Sequence, residues 1–153
     1  MSTPEERMRE LGIELPDVVK PVASYVPTVR TGSLVYTAGQ VPMVKGRLQV
    51  TGKVGAEVSA EEATEQARIC ALNAIAALKA EVGELSRVVR IVKVVGFVAS
   101  APDFHGQPQV INGASDLLVE IFGDAGKHAR SAVGVAALPA NAPVEVELIA
   151  EVS

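Results

Sequence analysis

Aromatic residues are nearly missing from this sequence. It has no tryptophan, and tyrosine and phenylalanine together make up only 3% of 153 residues. A core without aromatic bulk must be filled by Val, Ala, Leu and Ile, which a hydrophobic share of 48% supplies. That composition favours one closely packed sheet-and-helix domain. Cysteine occurs once, at Cys70, so an internal disulfide is excluded; its place among alanines in a helical pattern marks it as a small buried apolar residue. Positive charge is also scarce. A formal net charge of -4 with no Lys/Arg cluster argues against a phosphate-binding surface, and so against a nucleic-acid partner. Residues 20–29 are too mixed to cross a bilayer, and the polar, acidic start Met1-Ser-Thr-Pro-Glu-Glu-Arg is not a secretory leader. A soluble, cytoplasmic protein with no membrane partner is expected. The two histidines, His105 and His128, lack cysteine or carboxylate neighbours at zinc-ligand spacing, so neither a metal nor a cofactor is expected, and His128 reads as a loop residue.

What is present is ordered along the chain. Thr3-Pro4-Glu5-Glu6 is a helix start, with Thr3 as cap, Pro4 in the first turn and Glu6 as capping-box partner; Gly12 ends that short helix. Pro16, Pro21 and Pro27 then keep the chain from being helical until Thr28. Residues 26–30 and 34–38 flank Thr31-Gly32-Ser33 as a first hairpin, and a short edge strand is expected around Arg47 to Val50. Gly46, Gly52 and Gly55 fit neither a dinucleotide fingerprint nor a P-loop. Ser59 and Glu62 open the strongest helix, which runs to near Gly83. Its Ala63, Ala67, Cys70, Ala71, Ala74, Ala77 and Leu78 recur at the three-to-four-residue period of a buried, small-sided face. Residues 88–98 form a central strand, with Lys93 placed on the face of Ile91, Val95 and Phe97 and expected in a structural ion pair. A second helix has Pro108 in its first turn, Val110, Ala114, Leu117, Leu118 and Ile121 toward the sheet, and Gly123 at its end.

The last quarter organises the rest. Residues 129–137 and 144–152 are two alternating strands joined by a Pro/Asn-containing connection, and a hairpin between them is expected. Ser131, Val133, Val135 and Ala137 share one face of the first; Arg130, Ala132, Gly134 and Ala136 share the other. With Ala137 near Pro143, Glu145 would stand opposite Val135, several residues from Arg130, so a pocket using both would draw them from different subunits. Two helices on one face of this sheet make a two-layer α+β domain. The face carrying the Arg130 row is expected uncovered, and its small residues suit contact with another subunit.

Three blocks in the order and spacing seen here resemble the RidA family, also known as YjgF/YER057c/UK114 and, by an older label, endoribonuclease L-PSP. They are Gly32-Ser-Leu-Val-Tyr-Thr-Ala-Gly39-Gln40-Val-Pro42; Val92 to Val98 with Asp103-Phe104 and Asn112; and Ala129-Arg130-Ser131 through the Val-x-Val-Ala strand, Leu138-Pro139 and Val144 to Ala150. The resemblance spans about Tyr25 to Ala150. It implies a chorismate-mutase-like fold with a mixed β-sheet and two helices on one face, a homotrimer with pockets between subunits, and a RidA-like domain over residues 20–153. Residues 1–19 become an added N-terminal arm with a short helix, and the chain a divergent member.

For the site, the resemblance implies Arg130 as the grip on a substrate carboxylate, which a guanidinium holds in bidentate fashion. It implies Glu145 as the carboxylate orienting a hydrolytic water, Tyr25 as a further catalytic side chain, Gly39 as a backbone donor and Asn112 as the helix asparagine. Two substrate-binding positions depart from the family: Ala38 stands where many members have serine, and Ala132 where many have cysteine. The family's frequent tyrosine in the second helix is replaced near Ser115. The implied activity is hydrolysis of a small carboxylate-bearing enamine or imine, such as 2-iminobutanoate or 2-iminopropanoate, to ammonia and a 2-oxo acid. A metabolite-binding role without turnover is the alternative from a different class. A ribonuclease rests on the inherited label alone.

Overall fold

The computed structural model describes residues 2–21 and 23–153; Met1, in the expected arm, and Val22, near the expected domain start, lie outside the described residues. The first helix, α1 (Pro4–Leu11), forms as its signals dictate. Thr3 Oγ1 accepts from the Glu6 amide, the Glu6 carboxylate accepts from the Thr3 amide, and Gly12 closes the helix at φ +70°. Met8 enters the core, and Arg7 donates to the Ile121 carbonyl at 3.0 Å. Glu5 accepts from Lys79 Nζ at 2.8 Å and from the Leu85 amide at 2.7 Å. The arm helix is thereby fastened to the main body.

β1 (Thr28–Thr31) and β2 (Leu34–Thr37) make the expected hairpin about Gly32-Ser33. β3 (Met43–Val44) and β4 (Arg47–Leu48) form a separate two-stranded ribbon, turning on Lys45 and Gly46 at positive φ. α2 (Ala60–Val82) carries the predicted Ser59–Glu62 capping box. Its Ala63, Ala67, Cys70, Ala71 and Ala74 are fully buried. β5 (Val88–Ala99), α3 (Gln107–Phe122) and β6 (Ala129–Val135) follow as strand, helix and parallel strand, and β7 (Val144–Val152) ends the fold. The main sheet has the order β1-β2-β7-β5-β6, mixed because only β5 and β6 run parallel. Both long helices cover one face, giving the expected two-layer α+β architecture.

Three local expectations are corrected. β6 and β7 do not pair. β5 lies between them, with the Ser100 amide donating to the Val135 carbonyl and the Ala99 amide to the Pro143 carbonyl, so the 136–143 connection crosses the end of β5. The pattern of two alternating strands and a turn is the same whether the strands touch or straddle a third. Here the β5–α3–β6 crossover takes the position beside β5, and β7, buried along one whole face, takes the centre. Second, Arg130, Ala132 and Gly134 pair with Val94, Gly96 and Val98 and therefore face α3, not an uncovered side. Their smallness serves α3: a Cβ on Gly134 would stand 2.8 Å from Gln107 Nε2. Third, Lys93 is absent from the three ion pairs among the described residues and stands half-buried on the open face. A register shift between Ile91 and Lys93 sends Ile91 to the helix side instead.

The open face carries Val29, Tyr36, Val95, Phe97, Val133 and Ile149, with Glu145 and Glu147 among them. Val29 is 55% exposed, Val133 43% and Tyr36 42%. An apolar sheet face this open is unusual for a chain that works alone. Among the described residues no helix is long and apolar enough to cross a membrane.

Candidate functional site

The expected site residues gather in two places. The first lies where β2 leaves the sheet. Ala38 donates its amide to the Pro27 carbonyl, while Gln40 exchanges both backbone bonds with Val146 of β7. Asn73, buried on α2, donates Nδ2 to the carbonyls of Val41 and Met43 at 3.1 Å each, which pins the segment that follows. Between these ties, the Gly39 amide meets no protein acceptor among the described residues, so it is free to donate to a ligand.

Glu145 stands over this turn. It is the first β7 residue on the open face, and its Oε2 rests against Gly39 where a side chain would otherwise begin. Burial pushes the Glu145 carboxyl above the usual carboxylate range, and the Glu147 charge two residues along adds to the push. Such a group keeps its proton to higher pH than an exposed glutamate does, the direction that suits a residue passing protons. Tyr25, Tyr36, Ala38, Gly39, Met43 and Glu145 line a cleft of about 550 Å³. Ala38 brings no hydroxyl to it. Cys70 lies beneath, fully buried, its thiol pushed well up by burial and by the Glu145 charge, as suits an inert core residue.

The second place is the edge of the sheet beneath α3. Arg130 Nη1 donates to Asn112 Oδ1 at 2.7 Å and to Ser115 Oγ at 3.3 Å. Ser115 Oγ also lies 2.9 Å from His128 Nε2, and His128 Nδ1 lies 2.6 Å from the Gly126 carbonyl. Ala132, next in the Arg130 row, packs against the core and offers no polar atom.

These two groups do not meet within one chain. Arg130 pairs through Val94 with Leu148, whereas Glu145 pairs with Phe97, which pairs with Val133. Two strand spacings and three residues of rise put the backbones about 14 Å apart, and the side chains leave opposite faces. Tyr25, Ala38, Gly39 and Glu145 form one half of the expected constellation, Arg130 and Asn112 the other. Sequence reasoning missed Ser115 and His128 as members of the second half. The signal was there: Ser115 follows Asn112 by three residues on a helix, and His128 precedes Arg130 by two at a strand entrance.

Residues 5–152 match the sequence model of the family described as "YjgF/chorismate_mutase-like, putative endoribonuclease". The chain is 42% identical over 147 residues to Protein TCP17 of Trypanosoma cruzi, covering 95% of this chain and 92% of that one. Among solved structures it is similar to Atu1372 of Agrobacterium tumefaciens, a protein of unknown function. The identity there is 46%, the TM-score 0.91, and the match covers 98% of this chain and 92% of that chain. It is also similar to E. coli TdcF, solved with bound serine, at 27% identity and a TM-score of 0.63 over 91% of this chain and 94% of that chain.

Proposed function

The chain belongs to the YjgF/chorismate-mutase-like family, that is, RidA, and from that premise we propose that it hydrolyses a small carboxylate-bearing imine or enamine in pockets shared between subunits of a homotrimer. The observation that carries this reading is the division of the site. Arg130 and Asn112 form an anion grip on one side of the sheet, and Glu145 and the free Gly39 amide form a water-handling site on the other. Each half lacks what the other has. Placing one subunit's Arg130 edge over a neighbour's cleft completes the set, and the exposed apolar face of Val29, Tyr36 and Val133 supplies surface to hold the neighbour. A serine bound to the related TdcF is in keeping with an amino-acid-sized ligand bearing a carboxylate.

In the proposed reaction, Arg130 takes the substrate carboxylate, leaving the C=N carbon over Glu145. A water held by the Glu145 carboxylate adds to that carbon as its proton passes to the glutamate. That proton is passed to nitrogen to give the carbinolamine; its hydroxyl proton then moves through Glu145 to nitrogen as the C=O forms and the C–N bond breaks, so imine plus water become a 2-oxo acid plus ammonia. The Gly39 amide donates to oxygen as charge develops there. No thiol takes part, so Ala132 does not obstruct the step. Generating 2-iminobutanoate or 2-iminopropanoate in situ and following its decay tests the reading. Decay at the buffer rate, with the protein verified as folded, overturns it.

A binder that does not turn its ligand over is the second reading, favoured by the polar atoms absent at Ala38 and Ala132. Saturable carboxylate binding with no hydrolysis across a panel of imines would select it. The ribonuclease in the family description finds little here: the chain is acidic, and no stacking aromatics interleave with basic residues.

A further inference from the structure

We propose that Ser115 and His128 are positioning residues for Arg130, and that together with Asn112 they turn its guanidinium so that only the Nε/Nη2 edge is presented to a carboxylate. The inference deepens the proposed function and rests on its assignment of Arg130 as the carboxylate grip.

The hydrogen-bond directions follow from chemistry. The Gly126 carbonyl can only accept, so His128 Nδ1, 2.6 Å away, carries a proton and donates it. In the neutral imidazole Nε2 is then an acceptor, and its hydrogen-bond partner among the described residues is the Ser115 hydroxyl at 2.9 Å. Ser115 therefore spends its proton on His128 and turns lone pairs toward Arg130, whose Nη1 donates to it at 3.3 Å. Nη1 has two protons. One goes to Ser115 and the other to Asn112 Oδ1 at 2.7 Å, so Nη1 has none left for a ligand. Among the described residues, Nε–H and the two hydrogens on Nη2 meet no acceptor and are the guanidinium's free donors. Nε–H and one Nη2–H point the same way, which is the side-on fork that matches a carboxylate.

Each member is anchored by its element. Asn112 and Ser115 are three apart on α3, on the face turned to β6. His128 lies between the turn at 123–126, which supplies the Gly126 carbonyl, and β6, which supplies Arg130. The imidazole thus reads the position of that turn and passes it to the arginine through one hydroxyl. Such bonds hold a long, rotamer-rich side chain in one orientation before the ligand arrives, which removes an ordering cost from binding.

The test is a set of variants read by calorimetric titration of 2-oxobutanoate and, where turnover is measurable, by the split of KM and kcat. Ser115→Ala and His128→Ala are each expected to weaken 2-oxobutanoate about tenfold, the size of one lost hydrogen bond, and to raise KM with kcat little changed. Ser115→Thr keeps the hydroxyl and should restore most of the affinity. In an Arg130→Ala background neither alanine variant should weaken binding further, because nothing remains to be positioned. Equal losses with and without Arg130 would overturn the proposal, as would affinity unaffected by either change.

A protein that bound no 2-oxobutanoate even as wild type would refute the carboxylate assignment instead, and the relay would still be judged by ¹⁵N NMR of His128. There Nδ1 is expected protonated and Nε2 not, with the Nε2 resonance moved by both Ser115→Ala and Arg130→Ala. A proton found on Nε2 and none on Nδ1, or a resonance indifferent to both changes, would overturn the relay by itself.

Discussion

A methyl group on Gly39 would stand 2.2 Å from Oε2 of Glu145, so the carboxylate lies where a side chain would begin. The contact is to the far end of a flexible glutamate, not to backbone, and Gly39 is not among the residues with positive φ. Gly39→Ala is therefore expected to fold with a loss of under about 1 kcal/mol while pushing the carboxylate out of place. Imine hydrolysis should fall by about tenfold or more, since a displacement of one ångström at a reacting group is already costly. Thermal unfolding paired with a turnover assay checks the pair of outcomes.

Glu145 links activity to pH and stability. Its folded carboxyl keeps a proton to higher pH than the unfolded chain does, first because it is half-buried and then because of Glu147. Stability contributed by the protonated form is therefore present at low pH. It declines as pH rises from the usual carboxylate range through the raised folded value. Glu145→Gln cannot ionise. At neutral pH it should melt above the wild type, with the difference closing below pH 4, while hydrolysis is lost throughout. Melting curves across pH 3–8 decide this; a glutamine variant less stable at pH 7 would contradict the assigned environment.

Glu5 behaves in the opposite sense. Burial alone would raise its carboxyl, but the bonds from Lys79 and the Leu85 amide outweigh that, and the net shift is downward. The stability it adds is present above the usual carboxylate range and is lost as pH falls through the lowered folded value. Glu5→Gln should cost about 1–2 kcal/mol at neutral pH, at the low end for a charged hydrogen-bonded group because Lys79 is partly exposed. It should also increase hydrogen exchange in α1 before any other helix.

The close approach of α2 and α3 is a fourth check. A Cβ on Gly113 would fall 2.0 Å from the Thr64 carbonyl oxygen, which is backbone and cannot swing aside. Gly113→Ala should destabilise by about 1–3 kcal/mol through overpacking. The neighbouring Arg130–Asn112 bond should suffer with it, so ligand affinity is expected to drop alongside the melting temperature.

Much of the fold was legible because its signals are local. Both capping boxes, the glycine stop after α1, the buried alanine row of α2 and the alternation along β7 each lie within a few residues of the structure they cause. The neighbours of β6 were not legible, since a strand's partner is decided by the crossover through α3 and not by its own alternation. The face that Arg130 takes was misread for a separate reason: Ala132 and Gly134 look like a seam for another subunit, whereas their small size makes room for α3. The roles proposed for Arg130 and Glu145 came from the family resemblance and do not depend on strand neighbours, but Ser115 and His128 became visible only once α3 lay over Arg130.

The sharing of the site between subunits can be tested without knowing the assembly's shape. Arg130→Ala removes the anion grip and leaves the Glu145 cleft intact; Glu145→Gln does the reverse. Both side chains lie outside the buried core, so each variant is expected to fold and assemble but to hydrolyse little alone. When the two are unfolded together in equal amounts and refolded, subunits mix. A pocket that takes Arg130 from one subunit and Glu145 from its neighbour is whole only when the first comes from the Glu145→Gln chain and the second from the Arg130→Ala chain, which random assembly into a closed ring gives for about one pocket in four. Activity should therefore return to about a quarter of the wild-type level, while about half of the sites, those that carry Arg130, should bind 2-oxobutanoate. If both residues served one pocket within a single chain, mixing could restore nothing. Sedimentation of the mixture, expected at the mass of three chains, separates a failure to assemble from a failure to share.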